Sequence, residues 1–261
     1  MIFYFVTGVV VLFIAAHLFY WEARDRIPNL PKYFAHRGIK SSFPENTLAS
    51  YEEAIKLGFE GIEIDVCSLK DGTVVCSHNY DLEKETNGRG WLYDLDYSQI
   101  KEIKTGVKSH PKNSQKIPRL IDVLEFLPKH VFLNIEIKYK NMFDFSTART
   151  IAELERKKII DQPFLVSTFN PFIVAYFKAF YKEIFVGYLV ENHKWIWLMN
   201  IIHPDFLHPD GLIINHGLIN KCEKHNLKIN TWTINSLEAA DWCHKNNILS
   251  VITDNPHIIK K

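Results

Sequence analysis

Strand-like and helix-like segments alternate along most of this chain, and this alternation constrains the fold more than any other feature of the sequence. From Pro118 to Thr253, short runs rich in branched and aromatic residues are followed by longer amphipathic segments. Two further strand-like segments begin near Tyr33 and Gly61, which brings the count to eight βα steps. We therefore predict an α/β fold, a closed (β/α)8 TIM barrel with a small insertion at about residues 79–117, after the second strand. A doubly wound open sheet is the alternative.

The N-terminal segment differs in composition from the rest of the chain. Residues 2–21 are an apolar run interrupted only by Thr7, Gly8 and His17, and a run of this length is typical of a membrane-spanning helix. The predicted organisation is a transmembrane anchor (residues 1–22), a linker (23–32) and the barrel (33–261). A cleaved signal peptide is the rival interpretation, but no Lys or Arg precedes the run and no clear cleavage site follows it.

Charge restricts the partners and the location of the chain. The 31 Lys and Arg residues nearly cancel the 30 Asp and Glu residues, so no global field favours a nucleic acid as partner. Arg24, Arg26 and Lys32 follow the apolar run and weakly favour a single-pass membrane protein with its barrel in the cytoplasm.

A predicted hairpin brings two of the four cysteines near each other. If Asp71-Gly72 forms a two-residue turn, Cys67 and Cys76 face each other and could be bridged in an oxidising compartment. The same register places His78 opposite Asp65, whereas a three-residue bulged loop would shift the pairing by one. The cysteine spacing contains no CxxC pair, so reduced thiols and no structural zinc are expected.

Carboxylates share a face with one another on two predicted strands. Glu63 and Asp65 alternate with apolar neighbours, and Glu136 alternates with Ile135 and Ile137 in the same way. In a barrel this face points inward, and unpaired carboxylates there would be strongly destabilising. Three converging carboxylates favour one divalent cation, Ca²⁺ or Mg²⁺, and zinc bound with the help of histidines is less economical. A buried ion pair between Glu136 and Lys138 remains an alternative explanation of that strand.

Taken together in order, short motifs of this chain resemble the glycerophosphodiester phosphodiesterases, which are metal-dependent (β/α)8 barrels. The resemblance extends from about Tyr33 to Pro256, outside the apolar run. The motifs are Ala35-His36-Arg37-Gly38, Pro44-Glu45-Asn46-Thr47, Glu63-Ile64-Asp65-Val66, Lys70-Asp71-Gly72 before His78, Asn134-Ile135-Glu136-Ile137-Lys138, Thr231-Trp232-Thr233-Ile234-Asn235 and Ile252-Thr253-Asp254-Asn255-Pro256.

The resemblance implies a role for each matching position. Glu63, Asp65 and Glu136 would bind the metal, His36 and His78 would serve as general acid and base, Arg37 and Lys138 would bind phosphate oxygens, and Trp232 would form a wall of the substrate cleft. This set suits an anionic phosphodiester, because cations neutralise its oxygens while two groups that titrate near neutrality exchange protons with it.

The expected activity is metal-dependent hydrolysis of glycerophosphodiesters to glycerol phosphate and an alcohol, by an enzyme attached to the membrane through its N-terminal helix. A lysophospholipase D that acts on lysophospholipids is the alternative, motivated by that helix and by the aromatic residues Trp195, Trp197 and Phe206. A barrel that binds phosphate ligands without turnover is a third hypothesis. We also expect Asn46 to cap the helix that follows it, and His208 to be near enough to the strand ends to contact substrate.

Overall fold

The computed structural model describes residues 2–259, without the side chains of residues 2–5 and of residue 8. Its strands follow the alternation in the sequence. In chain order they are β1 (Tyr33–His36), β2 (Gly61–Ser68), β3 (Val74–Cys76), β4 (Lys104–Thr105), β5 (Gln115–Lys116), β6 (Phe132–Ile137), β7 (Phe164–Thr168), β8 (Val186–Val190), β9 (Phe206–Pro209), β10 (Lys228–Thr231) and β11 (Ser250–Thr253).

Helices connect the strands and cover the outside of the sheet. They are α1 (Ile2–Phe19), α2 (Leu48–Leu57), α3 (Tyr97–Ile100), α4 (Leu120–Phe126), α5 (Ser146–Arg156), α6 (Pro171–Phe180), α7 (Met199–Ile202), α8 (His216–Glu223) and α9 (Leu237–Lys245). Short 3₁₀ helices occupy Leu92–Asp94, His193–Leu198 and Gly211–Ile213.

The parallel strands close into a barrel. Hydrogen bonding runs in the order β1-β11-β10-β9-β8-β7-β6-β2, and β1 also pairs with β2. Because β1 pairs with β11 on one side and with β2 on the other, the sheet has no free edge between them and is not an open doubly wound sheet. The predicted eight-stranded barrel is confirmed.

Successive side chains along each strand point alternately to the outside and to the inside of the barrel. Ile62 and Ile64 on β2 point outward and belong to the main hydrophobic core, which also contains helix residues such as Ala54 of α2. The intervening Glu63 and Asp65 are therefore on the inner face. One end of the interior is filled by an apolar cluster of Phe34, Phe132, Leu165, Phe206 and Ile252.

A layer of polar side chains follows this apolar cluster inside the barrel. Asn134 and His208 lie two residues beyond Phe132 and Phe206 and are fully buried. Their side-chain polar atoms have no hydrogen-bond partner within residues 2–259. Gly187 makes room for the imidazole, because a Cβ there would lie 2.5 Å from His208 Nε2. The prediction that His208 is near enough to contact substrate is wrong, since the ring lies in the barrel interior.

The turn between β2 and β3 has three residues, 70–72, so the register is the alternative one, shifted by one residue from the two-residue prediction. Val66 pairs with Cys76 and Cys67 with Val75, so Ser77 rather than His78 lies opposite Asp65. The turn is longer because the backbone N–H of Leu69 bonds to the carbonyl of Thr73. Cys67 and Cys76 consequently belong to different hydrophobic clusters, and both are free thiols.

The segment between β3 and α4 has a small core of its own beside the barrel. It consists of Leu82, Leu92, Ile100 and Ile117, packed on Cys67, Leu69 and Val75. The antiparallel pair β4–β5 belongs to this segment. It therefore forms a compact structure next to the carboxyl end of β3 rather than a loose loop.

The predicted transmembrane anchor is wrong. Among residues 2–259, no helix combines the length and the apolar character needed to cross a membrane. The predicted single-pass location, cytoplasmic orientation and membrane attachment depended on this anchor and are corrected with it.

The chain after α1 packs against the barrel helices. The Trp21 ring stacks on His203 and His225, at centroid distances of 4.6 and 4.4 Å. Arg24 forms an ion pair of 2.6 Å with the fully buried Asp205. The residues that join α1 to β1 are thus held to the barrel by aromatic and ionic contacts.

Candidate active site

A cavity of about 240 Å³ opens at the carboxyl ends of the barrel strands. Seven of the eight residues predicted to form the site line it, and the eighth, Asp65, is fully buried next to them. The lining residues from the prediction are His36, Arg37, Glu63, His78, Glu136, Lys138 and Trp232. The structure therefore brings together side chains that are up to about 200 residues apart in the sequence.

Three carboxylates form the floor of this cavity. Oxygen atoms of Glu63, Asp65 and Glu136 lie within 4.8 Å of one another, and all three residues are buried. Strand register explains the grouping, because β2 and β6 are neighbours in which Asp65 pairs with Glu136. Two inward positions of β2 and one of β6 thus converge at one point.

Two cations compensate part of the carboxylate charge. Lys138 Nζ lies 2.9 Å from Asp65 Oδ1 and also contacts Glu136, and Arg37 Nε lies 3.0 Å from Asp65 Oδ2. Burial alone would raise the pKa of Asp65, but Lys138 and Arg37 hold it well below its usual range. Burial and the neighbouring carboxylates Asp65 and Glu136 raise the pKa of Glu63 well above its usual range. Arg37 and Lys138 lower the pKa of Glu63, but they do not offset the combined effect of burial and of the two other carboxylates.

The donor set fits a divalent cation. Glu63 Oε1 is buried and has no hydrogen-bond partner in the described part of the chain, while Glu63 Oε2 accepts from the backbone N–H of Arg37 at 3.0 Å. An orphaned carboxylate oxygen beside two further carboxylates is what a hard, oxygen-preferring ion such as Ca²⁺ or Mg²⁺ requires. The buried pair of Glu136 and Lys138, the alternative from the sequence, is also present.

Asn46 orients one of these carboxylates instead of capping a helix. Its side-chain N–H donates to Asp65 Oδ2 at 2.8 Å, and its side-chain oxygen accepts from the Asp65 backbone N–H and from the Tyr51 hydroxyl. The cap of α2 is Thr47, so the predicted cap was misplaced by one residue. Asn46 adopts a φ of 57°, a left-handed conformation that Asn tolerates better than most residues.

His36 has a carboxylate partner that the sequence interpretation missed. Its Nδ1 donates to Asp254 Oδ1 at 2.8 Å, and Lys40 Nζ lies 2.6 Å from the same oxygen. Burial would raise the pKa of Asp254, but His36 and Lys40 hold it well below its usual range. Asp254 was visible within the motif at the end of the last strand, and the signal that could have found it is the adjacency of β1 and β11 in a closed barrel.

His78 reaches the cavity from the residues after β3. Burial, with a contribution from Lys138, lowers the pKa of His78 to about 4 although Asp65 opposes this shift. His36 and His78 line the same cavity. Two imidazoles in one cavity can serve as a general base and a general acid in the same reaction.

Aromatic residues complete the wall of the cavity. The Trp232 indole N–H donates to the backbone carbonyl of His208 at 2.9 Å, and the ring meets Phe169 edge to face at 5.6 Å. This hydrogen bond and this contact fix the indole plane. Arg37 is fixed similarly, since its Nη1 donates to both oxygens of Glu45 at 3.0 and 3.1 Å.

A (β/α)8 barrel carries its active site at the carboxyl ends of its strands, and the carboxylates, cations and histidines gathered there suit metal-assisted hydrolysis of an anionic ester such as a phosphate ester. A model of the glycerophosphoryl diester phosphodiesterase family matches residues 36–258. A glycerophosphodiester phosphodiesterase of Caldanaerobacter subterraneus is 30% identical over 229 residues, covering 86% of this chain and 94% of the relative. The chain belongs to the glycerophosphoryl diester phosphodiesterase family and is a phosphoric diester hydrolase, as its motifs predicted.

Solved structures show the same architecture. An Oleispira antarctica phosphodiesterase in complex with the product sn-glycerol-3-phosphate is 29% identical, with a TM-score of 0.77 over 88% of this chain and 96% of that one. A glycerophosphodiester phosphodiesterase of Thermotoga maritima is 25% identical, with a TM-score of 0.70 over 90% of this chain and 99% of that one.

Proposed function

We propose that this protein hydrolyses glycerophosphodiesters to glycerol phosphate and an alcohol, with one divalent cation, Ca²⁺ or Mg²⁺, bound by Glu63, Asp65 and Glu136. The observation that carries the proposal is the buried carboxylate trio beside two histidines in one cavity. The family membership and the product bound to the Oleispira relative support glycerophosphodiesters as the substrate class.

A divalent cation, when bound, supplies positive charge that stabilises the developing charge on phosphate oxygens. The chain's own residues prepare for it. Glu63 offers an oxygen with no partner in the described residues, and Asn46 holds Asp65 in one orientation. Lys138 and Arg37 keep Asp65 ionised.

Arg37 and Lys138 are proposed to bind the non-bridging phosphate oxygens as well. Both cations line the cavity, and both are held by carboxylates on one side. Their positive charge favours a phosphodiester anion in a cavity that carboxylates alone would make repulsive. Trp232 and Phe169 offer apolar surface on which the carbon atoms of glycerol can pack.

His36 and His78 are proposed to exchange the protons of the reaction. One imidazole takes the proton from the attacking oxygen as the new P–O bond forms, and the other gives a proton to the leaving alkoxide as the old P–O bond breaks. Asp254 fixes the His36 ring through Nδ1, which leaves Nε2 for this exchange.

The direct test is hydrolysis of a panel of glycerophosphodiesters by the full chain, with chelator and then Ca²⁺ or Mg²⁺ added back. We expect release of glycerol phosphate, loss with chelator and recovery with metal. His36→Ala should lower kcat about 10²- to 10⁴-fold, whereas the same change at the exposed His130 should have no effect. Metal-independent hydrolysis, or an active His36→Ala, would contradict the assignment.

The lysophospholipase D alternative is not favoured. It depended on membrane attachment, which the structure does not support, and the family and the relatives cited above act on glycerophosphodiesters by name. Including a lysophospholipid in the panel compares the two hypotheses directly.

A further inference from the structure

A second cavity adjoins the catalytic one. It has a volume of about 320 Å³, and Phe169, Leu189 and Glu191 line both cavities. A substrate whose phosphate occupies the catalytic cavity can therefore extend its alcohol portion into the second without passing through solvent. The wall that the two cavities share includes the carboxylate of Glu191.

Aromatic rings dominate the lining of the second cavity. Tyr139 follows β6, Tyr188 lies in β8 and Trp195 lies in the 3₁₀ helix after β8. Tyr188 is buried and Trp195 is 47% exposed, so the rings extend from the floor of the cavity to its rim. We call these rings, together with Phe169 and Glu191, the aromatic groove.

The charge of the aromatic groove is negative. Glu191 is its acidic residue, and among the described residues no Lys or Arg lines it. Lys194 lies outside the lining, with its Nζ 5.2 Å from the centroid of the Trp195 ring. A cation bound in the groove would therefore share the Trp195 ring with Lys194.

A different cavity on the other side of Arg37 provides the contrast. It has a volume of about 380 Å³ and is lined by side chains of both signs, among them Lys40, Lys84, Glu45 and Glu85. Such a lining suits a strongly hydrated polar group. The aromatic groove instead combines ring faces with one carboxylate, a combination that suits a cation with little hydration.

Resting on the function proposed above, we propose that the aromatic groove binds the quaternary ammonium group of a choline alcohol, making glycerophosphocholine the preferred substrate. A trimethylammonium group donates no hydrogen bonds, so aromatic faces and one carboxylate satisfy it. A primary ammonium loses strong hydration in the same place, and an uncharged polyol gains no cation–π attraction from the rings.

The test compares kcat/KM for glycerophosphocholine with kcat/KM for glycerophosphoglycerol, whose alcohol is uncharged. We expect the wild-type ratio to favour choline, and Trp195→Leu or Glu191→Gln to lower the ratio about tenfold. Trp197→Leu is the matched control, because Trp197 is 53% exposed in the same 3₁₀ helix and does not line the groove. Its ratio should equal that of the wild type. If neither Trp195→Leu nor Glu191→Gln changes the ratio of the two kcat/KM values, the inference is overturned. General damage to the enzyme is recognised because it lowers kcat/KM for both substrates and leaves their ratio unchanged.

A binding measurement separates failure of this inference from failure of the proposed function. Tryptophan fluorescence of the full chain is titrated with choline, in the wild type and in Glu191→Gln, which keeps the Trp195 ring as the fluorescent reporter. Saturable quenching that is lost in the variant supports the groove even if no diester is hydrolysed. Absence of choline binding by an enzyme that hydrolyses both diesters overturns the groove alone.

Discussion

The His36 ring and the Asp254 carboxylate, 218 residues apart in the sequence, are joined by a hydrogen bond of 2.8 Å. The bond exists because β1 and β11 are neighbours in the closed barrel, with Ala35 paired to Thr253. It fixes which nitrogen of His36 faces the cavity, since Nδ1 is occupied.

Asp254→Asn should lower kcat about 10²-fold with little change in KM. The substitution keeps the size of the side chain but removes the negative charge that orients and stabilises the protonated imidazole. Steady-state kinetics over a range of pH measures the effect. Asp241→Asn, at an exposed position of α9, is the control that should behave as the wild type. Unchanged kcat in Asp254→Asn would mean that the hydrogen bond is structural only.

Glu63→Gln should raise the Ca²⁺ or Mg²⁺ concentration for half-maximal activity at least about tenfold. The amide keeps the shape of the side chain but replaces the charged oxygen that lacks a partner. Calorimetric titration of the metal measures binding independently of turnover. Glu60→Gln, at an exposed position beside the same strand, serves as the comparison. Equal metal affinity in Glu63→Gln and the wild type would remove Glu63 from the site.

Asn46→Ala should weaken metal binding about 10- to 100-fold and destabilise the fold by about 1–3 kcal/mol. The side chain makes three hydrogen bonds, two of them to Asp65, and none can be made by Ala. Asn46→Gly is the informative comparison, because Gly accepts the φ of 57° without strain and isolates the loss of the amide. Metal titration and urea denaturation provide both values. If Gly restores metal affinity, backbone strain rather than the amide is the cause.

The stability of the fold should fall as the pH is lowered, in part because of His208. Burial lowers the pKa of His208 to about 3 in the folded state, against 6.5 in the unfolded chain. Between these values the unfolded state binds one proton more, so the free energy of unfolding decreases by up to about 1.4 kcal/mol for each pH unit below 6.5. Urea denaturation at several pH values from 8 to 4.5 gives the free energy of unfolding at each pH. This free energy should change less steeply with pH in His208→Asn than in the wild type. Identical slopes would exclude His208 as the source.

Much of the catalytic cavity could be predicted because the relevant signals are local. Alternation along β2 places Glu63 and Asp65 on one face whatever the rest of the chain does. The resemblance of the motifs supplied His36 and His78. Asp254 lies within one of the matching motifs, but the sequence assigned it no role. Its partner His36 is determined by closure of the barrel and not by sequence spacing.

Two errors have equally specific causes. The β2–β3 register depends on turn geometry, in which Gly72 adopts a φ of 84° and Leu69 bonds to Thr73. Counting residues between strands cannot reveal that choice. The predicted anchor followed from the apolar composition of residues 2–21 alone, whereas the end of α1 is held by polar contacts, such as the one between His17 and the carbonyl of Ile201.

The seam between β1 and β11 also has a consequence for biosynthesis. The first strand of the barrel is made early, but its neighbour across the seam, β11, is made last. A nascent chain therefore carries His36, Glu63 and Glu136 long before Asp254 leaves the ribosome. We expect ribosome-bound chains that stop before β11 to lack hydrolytic activity, so that the enzyme is switched on only when its synthesis is nearly finished.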